Sequence, residues 1–356
     1  MRIFLLITFL LGGHIVHSQD AIGTWKDHLN YSNANDLDIL GDRVYVSSGN
    51  AIFVLNTSDN SISRLNRVTG LSDVGISTVR ANQEFDMLIV GYINGNLDII
   101  QNNTIINITD IKNSSIAGDK RIRHISFYAN SALLSTGIGI IDFNLERLEV
   151  KDTYNILSTG GLAINETAVL NDTLYAATEE GLYYGGLDRD LTIFSNWFQD
   201  LSIPDPFEDV LNISANLGNL YINQPEAEPA GVFFKKTDNQ WINTFNSSGV
   251  TNLRSTELGL SVVQGSYGEV KEAPGISPIL SVNSYNGELP QMTTLLATTD
   301  GNTWIADRKN GLVKRTSDGA FEFIYPDGPA TNRAFDIDVK HEQLWVASGA
   351  PDRPGT

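Results

Sequence analysis

The sequence contains no cysteine, and that absence removes a disulfide framework, a thiolate metal site, an iron–sulfur cluster, a Cys nucleophile and a lipidated N-terminal cysteine. Basic residues are scarce: 24 Lys and Arg face 42 Asp and Glu in 356 residues, for a net charge of −18. Without a basic stripe to neutralise phosphates, nucleic acid is a poor partner, and an anionic membrane surface repels the chain. Helical periodicity is nearly absent, and no apolar run is long enough to span a bilayer. The one apolar run that stands out is at the N-terminus. Met1 and Arg2 precede the stretch Ile3 to Leu11, and the small residues Val16 and Ser18 follow. Residues 1–18 therefore read as a secretory signal peptide cut after Ser18, which makes the mature chain an exported one.

What the chain does have is a repeat. An apolar strand ending in small residues, a turn usually carrying Gly, and a second apolar strand recur eight times, from RVYVSSGNAIFVLN through TLYAATEEGLYYGG and NTWIADRKNGLVKR to QLWVASGAPD. Aligned on Tyr45, Ile89, Leu134, Tyr175, Tyr221, Ser261, Trp304 and Trp345, the copies step by 40 to 46 residues and average 43. A short strand precedes each copy and another generally follows, as DLDIL and SISRL do around the first. Four short antiparallel strands per period, joined by turn-forming Asn, Asp, Ser and Gly, predict an all-β β-propeller. Seven four-stranded blades are expected at about 33–66, 75–110, 121–153, 163–200, 208–247, 250–288 and 291–327, so residues 19–331 form the propeller. Residues 332–356 read as the start of a further blade or a second propeller in a chain that stops early. One route to closure has the N-terminal segment GTWKDHL (23–29) completing the last blade. Tyr45, Tyr175, Tyr221, Trp304 and Trp345 are expected to pack between blades.

Chemistry is sparse. Removal of the leader leaves His28, His124 and His341, which are far apart and in no metal-ligand spacing, and no G-x-S-x-G elbow accompanies them. Acidic residues cluster in FQDLSIPDPFEDV (Asp200, Asp205, Glu208, Asp209) and alternate in FDIDV (Asp336, Asp338), where a solvated loop and a polar strand face are the plain readings. TTDGNTW (298–304) lacks the residue that an Asp-box places between Asp and Gly. No catalytic, cofactor-binding or metal-ligating residue is expected. Two long Pro-containing turns break the repeat: NQPEAEPAG (223–231), with Pro225, Glu226, Glu228 and Pro229, and KEAPGISPIL (271–280), with Pro274 and Pro278. Lying on adjacent blades, they are expected to project from the same face of the disc as partner-contact loops.

Two resemblances follow from these residues. NTWIADRKNGLVKR resembles the repeat of two-component-regulator propellers, with Asp307 in place of the usual Thr. The leader followed by GTWKDHLNY, GDRVYVSSGNAIFVLN and ISRLNRVTGLSDVGIS is similar to the N-terminal propeller of the PorZ family, from the type IX (Por) secretion system of Bacteroidota. That resemblance implies a non-catalytic subunit of the outer-membrane sortase attachment complex. Its implied partners are a PorU-like sortase, PorV-like and PorQ-like proteins and anionic lipopolysaccharide, with no cofactor, no nucleic acid and no transmembrane segment. It also implies a longer protein with a second propeller and a C-terminal sorting domain. Two alternatives stand beside it: a periplasmic ligand-sensing propeller of a hybrid two-component regulator, and a propeller glycan lyase or sialidase. The last needs carboxylates, Tyr or Arg converging at the central funnel.

Overall fold

The computed structural model describes residues 27–228, 230–235, 240–272, 277–329, 334–340 and 343–348; the leader 1–18 and His341 lie outside them. Among the described residues, seven four-stranded antiparallel sheets occupy 36–65, 76–108, 124–154, 164–199, 212–245, 252–282 and 292–324. In every sheet the four strands are consecutive in the sequence and pair in order. Among the described residues, helix is confined to one turn at Asp110–Asn113 and a 3-10 turn at Phe194–Asn196. The seven sheets are the seven blades of a propeller.

Strand alternation explains where the core sits. Successive side chains on a strand point to opposite faces, so a strand with neighbours on both sides must be apolar throughout. In the second strand of blade 1, Val44 and Val46 pack towards blade 7, while Tyr45 between them packs towards blade 2. Blade 2 behaves likewise, sending Leu88 and Val90 to blade 1 and Ile89 to blade 3. Seven apolar clusters result, one at each of the seven blade interfaces. Burying a single Leu, Ile or Val side chain contributes about 1.5–3 kcal/mol relative to leaving it exposed. The interfaces thus hold the ring together.

Tyr45, Tyr221 and Trp304 are buried in these interfaces as expected, and Tyr175 lies half-buried at the edge of the cluster between blades 4 and 5. Trp345 departs from the expectation and is 60% exposed. Its strand, Gln343–Ser348, pairs only with Ala334–Lys340 in a two-stranded sheet, so no neighbouring blade covers it among the described residues.

Closure also differs from the expected route. Blade 7 draws all four strands from its own stretch of chain, Met292–Ala297, Thr303–Asp307, Gly311–Arg315 and Phe321–Ile324, which leaves no strand position for residues 27–29 to fill. The ring closes instead by face packing of Leu296, Trp304 and Leu312 on Leu37, Val44 and Phe53. The segment before blade 1 also joins this seam, burying Tyr31 and Ala34 in it: Gly311 N–H donates to the Ser32 carbonyl (2.7 Å) and Ala34 N–H to the Asp307 carbonyl (3.0 Å).

Candidate functional site

The first strand of each blade lies nearest the axis, and one of its edges has no strand beside it, so its backbone N–H groups there need other partners. Acidic side chains supply them by reaching from one blade to the next. Asp36 of blade 1 accepts from Val79 N–H (3.1 Å), the Thr78 hydroxyl (3.1 Å) and Arg80 (2.7 Å), all in blade 2. Asp38 accepts from Ala81 N–H at 2.9 Å. Glu166 of blade 4 accepts from Ile213 N–H (2.9 Å) and the Asn212 amide (2.8 Å) of blade 5. A β-bulge precedes Thr78, Glu166 and Thr294 in their strands, and such a bulge re-aims the side chain that follows it. Thr294 of blade 7 then reaches Asp36 at 3.2 Å, so blades 2 and 7 are both tied to one carboxylate.

Two arginines meet these acids, Arg80 from the adjacent blade 2 and Arg254 from blade 6. Arg254 of blade 6 lies 2.6 Å from Asp38 and 3.5 Å from Asp36, and it donates to the Leu37 carbonyl at 2.6 Å. Asp36, Arg80 and Arg254 all have largely buried side chains. Burial alone would raise the Asp36 pKa, but Arg80 and then Arg254 hold it below the usual carboxylate range. Burial likewise works against the Arg80 charge, and Asp36 and Asp38 outweigh it, so the Arg80 pKa is raised. Glu166 is pushed up to about 7 by burial, against the pull of Asn212 and the Ile213 N–H. His124 is held well below its ordinary value by burial and then by Arg80 and Arg254, so its ring is neutral, and its Nδ1 is buried without a hydrogen-bond partner.

Asp38, Arg80, His124 and Arg254 of this network line the floor of an open axial funnel of about 700 Å³. Ile39, Ala81, Phe127, Val169 and Ala215 form half-buried walls, and Gln83, Glu257 and Thr298 are at the rim. Sequence reasoning missed Asp36, Asp38, Arg80, Glu166 and Arg254. The available signal was a charged residue within a stretch, such as DLDIL, that the repeat assigns to an innermost strand. Every carboxylate of the floor already accepts from a donor of the ring itself.

The acidic residues and turns noted in the sequence take separate places. Asp300 shapes its turn by accepting from Asn302 N–H (3.0 Å) and the Thr298 hydroxyl (2.5 Å). Asp307 takes on the turn-forming work that Thr136 and Thr178 perform in blades 3 and 4, accepting from Lys309 and Asn310 N–H at 2.9 Å each, and it also ties down Gln291 N–H. Asp336 and Asp338 are exposed on the detached hairpin, and His28 is exposed. Among the described residues no group of three or more His, Asp or Glu side chains could hold a metal ion.

The two Pro-containing turns do not share a face. In an antiparallel blade the turn after the second strand and the turn after the third lie at opposite ends of the sheet. The first long turn joins Asn219–Gln224 to Gly231–Lys235, the second and third strands of blade 5. The other joins Gly268–Lys271 to Pro278–Val282, the third and fourth strands of blade 6. Pro278, at the start of its strand, therefore sits towards the funnel mouth, and Glu226 and Glu228 are exposed on the opposite face with Pro225 half-buried beside them. Pro229 and Pro274 lie outside the described residues.

Fold and site together define a seven-bladed propeller whose axial funnel has a charged floor. Comparison with known proteins narrows this. Residues 44–198 match the family model of the PorZ N-terminal β-propeller domain of type IX secretion, so the resemblance to the PorZ N-terminal propeller holds. The solved structure of PorZ from Porphyromonas gingivalis, described as an essential bacterial surface component of the type IX secretion system, superposes with a TM-score of 0.79 at 19% identity. That superposition covers 92% of this chain and 43% of the PorZ chain, so this chain spans less than half the length of that relative. The WD40 β-propeller domain of Doa1 (TM-score 0.58, 8% identity, 81% of this chain and 93% of that one) shares the fold alone. So does the computationally designed Ika8 protein (0.54, 10%, 90% and 95%). No curated protein matches the chain.

Proposed function

We propose that this chain is the N-terminal propeller of a surface component of the type IX secretion system, acting without catalysis as an accessory subunit of the sortase attachment complex. The carrying observation is the PorZ-domain match over residues 44–198, together with a superposition on PorZ that extends over 92% of the chain. In this role the propeller is a rigid disc that presents loops to PorU-like, PorV-like and PorQ-like proteins. It thereby assists cleavage of the cargo sorting domain and anchoring of the cargo to lipopolysaccharide at the cell surface. The leader at residues 1–18 provides export to that location.

The funnel floor has the charged groups that a propeller lyase or sialidase needs, and their bonding decides how we read them. Asp36, Asp38 and Glu166 are saturated by backbone, Asn and Arg donors of neighbouring blades, which suits a lock on the ring better than an acid–base pair. The likeness to two-component-regulator repeats rests on one hairpin, in which Asp307 stands in place of Thr and performs its turn role. Deletion of the gene tests the proposal. Cargo should still cross the outer membrane but keep its sorting domain and be lost to the medium. Cargo that is trimmed and anchored normally in the deletion strain would refute it.

A further inference from the structure

The connection from blade 4 to blade 5, residues 200–211, combines rigidity with exposed apolar side chains. Phe207 is 72% and Leu201 63% exposed, while Ile203 and Val210 of the same connection are buried and anchor it. Its backbone is braced along its length. Asp200 N–H donates to the Leu182 carbonyl (2.8 Å) and Val210 N–H to the Thr178 carbonyl (3.0 Å). The Gln199 amide donates to the Glu180 carbonyl (2.9 Å) and the Pro206 carbonyl (2.8 Å). Gln224, fully buried, accepts from Asp205 N–H (3.2 Å) and donates to the Asp205 carbonyl (2.7 Å). Gly181, at φ +105°, leaves the space that the Pro206 carbonyl occupies. Pro204 and Pro206 restrict φ on either side of Asp205.

Gln224 also opens the long turn of blade 5, so the connection and that turn form one surface on the face away from the funnel mouth. Its charge is of one sign. From residue 190 to residue 234 the chain has seven Asp and Glu and no Lys, Arg or His. Asp205, Glu208, Asp209, Glu226 and Glu228 belong to the two segments, and Glu179 and Glu180 lie in the hairpin turn that the connection packs on. The cation at the margin is Arg123, paired with Glu179 at 3.1 Å and Asp119 at 3.2 Å. Burial, with Glu179 and Glu208 nearby, raises the Asp209 pKa, in keeping with the local excess of negative charge.

An aromatic side chain held outward on a preordered loop is the form that interface hot spots take, because little conformational entropy remains to be lost on binding. The surrounding carboxylates disfavour phosphate-bearing partners, and their arrangement provides no metal site among the described residues. We propose that residues 200–211 and the turn at 224–228 form a docking surface for a protein partner that offers an apolar socket for Phe207 ringed by Lys or Arg. This goes beyond the type IX reading and does not rest on it.

The test places a photo-crosslinking p-benzoylphenylalanine at position 207 of the full-length protein in its producing cell. A matched probe at Ile279, which is 50% exposed at the other end of the disc, is the control. The expected result is one protein adduct from position 207 and none of that mass from 279. The adduct should be lost when Glu226→Lys and Glu228→Lys are combined, and the purified pair should bind at least tenfold more weakly after Phe207→Ser. A Phe207→Ser variant that melts with the parent confirms that folding is unaffected. Equal labelling from both positions, an adduct that survives the charge reversal, or a lipid or nucleic acid adduct would overturn the proposal. Normal cargo anchoring in Phe207→Ser cells, with the tenfold loss of binding seen for the purified pair, would leave the docking surface standing and count against its use in secretion.

Discussion

The funnel floor and the blade 4–blade 5 connection are both tightly bonded, but they leave opposite things unsatisfied. At the axis, charges from blades 1, 2, 4 and 6 are turned inward and meet partners supplied by the ring: Asp36 alone accepts from Thr78, Val79, Arg80 and Thr294. At the connection the backbone is satisfied, and Phe207 and Leu201 remain without cover. Burying a charge is costly unless it is paired, so a fully paired buried cluster is explained by the fold that pairs it. A single exposed apolar side chain is ordinary on a protein surface, and what sets Phe207 apart is that it stands on a braced loop among carboxylates. The comparison separates residues that close the disc from residues through which the disc makes contact.

The largest expected effect is at the axis. Asp36→Ala leaves the Arg80 and Arg254 guanidinium groups short of a carboxylate and the Val79 N–H unpaired; urea denaturation should show a loss of about 3–5 kcal/mol. A loss below 1 kcal/mol would mean that the ring does not depend on this lock. Next comes Gly181→Ala, which forces a β-carbon into the Pro206 carbonyl at a positive φ. It should cost about 1–3 kcal/mol and speed proteolysis within 200–211, whereas parental stability and parental cleavage would show that the connection is not braced there.

The two regions were unequally legible. Blade boundaries were readable because each blade is built from consecutive strands, so the 43-residue period carries the whole unit: the expected 163–200 and 291–327 became strands spanning 164–199 and 292–324. Inter-blade packing by Tyr45, Tyr221 and Trp304 followed from the same period. Trp345 broke the rule because burial requires a neighbour and not merely a repeat position. The axial network stayed hidden because its pairs are far apart in sequence: Asp36 and Arg254 are separated by 218 residues, and only ring closure brings them together. Turn orientation was within reach, since strand parity within a blade puts the turns at 224–231 and 271–278 at opposite ends. The exposure of Phe207 was not, because the brace from Gln199, Gln224 and Gly181 depends on three separate segments meeting.

A smaller effect sharpens the account of the floor through two opposed titrations. Glu166 has its pKa raised from 4.5 to about 7, so between those values the folded chain keeps a proton that the unfolded chain has released, and stability falls as pH rises through the window. His124 is depressed well below 6.5, so the unfolded chain binds the extra proton and stability rises as pH climbs towards 6.5. Arg80 and Arg254 act on both groups. In the parent the two slopes oppose each other below pH 6.5. Glu166→Gln should leave a rising limb and His124→Leu a falling one across a series of thermal melts. Absolute stability is a poorer readout, because Gln cannot accept from both Asn212 and the Ile213 N–H as Glu166 does. Parallel profiles in both variants would show that neither group titrates within the floor.

The smallest predicted change is the one that defines the other region. Phe207→Ser removes an exposed ring from a connection whose hydrogen bonds run through Gln199, Asp200, Asp205 and Val210, so its stability should stay within about 0.5 kcal/mol of the parent. Chemical denaturation with an unchanged slope would establish that. A destabilisation above 1 kcal/mol would mean that the ring is packed by the disc itself, and the contrast with the axis would collapse: Phe207 would join Asp36 among the residues that hold the propeller closed. Near-zero cost to folding combined with at least tenfold weaker binding of the partner captured from position 207 is the pattern that only a contact residue produces, because a structural residue cannot lose its interactions without a cost to stability.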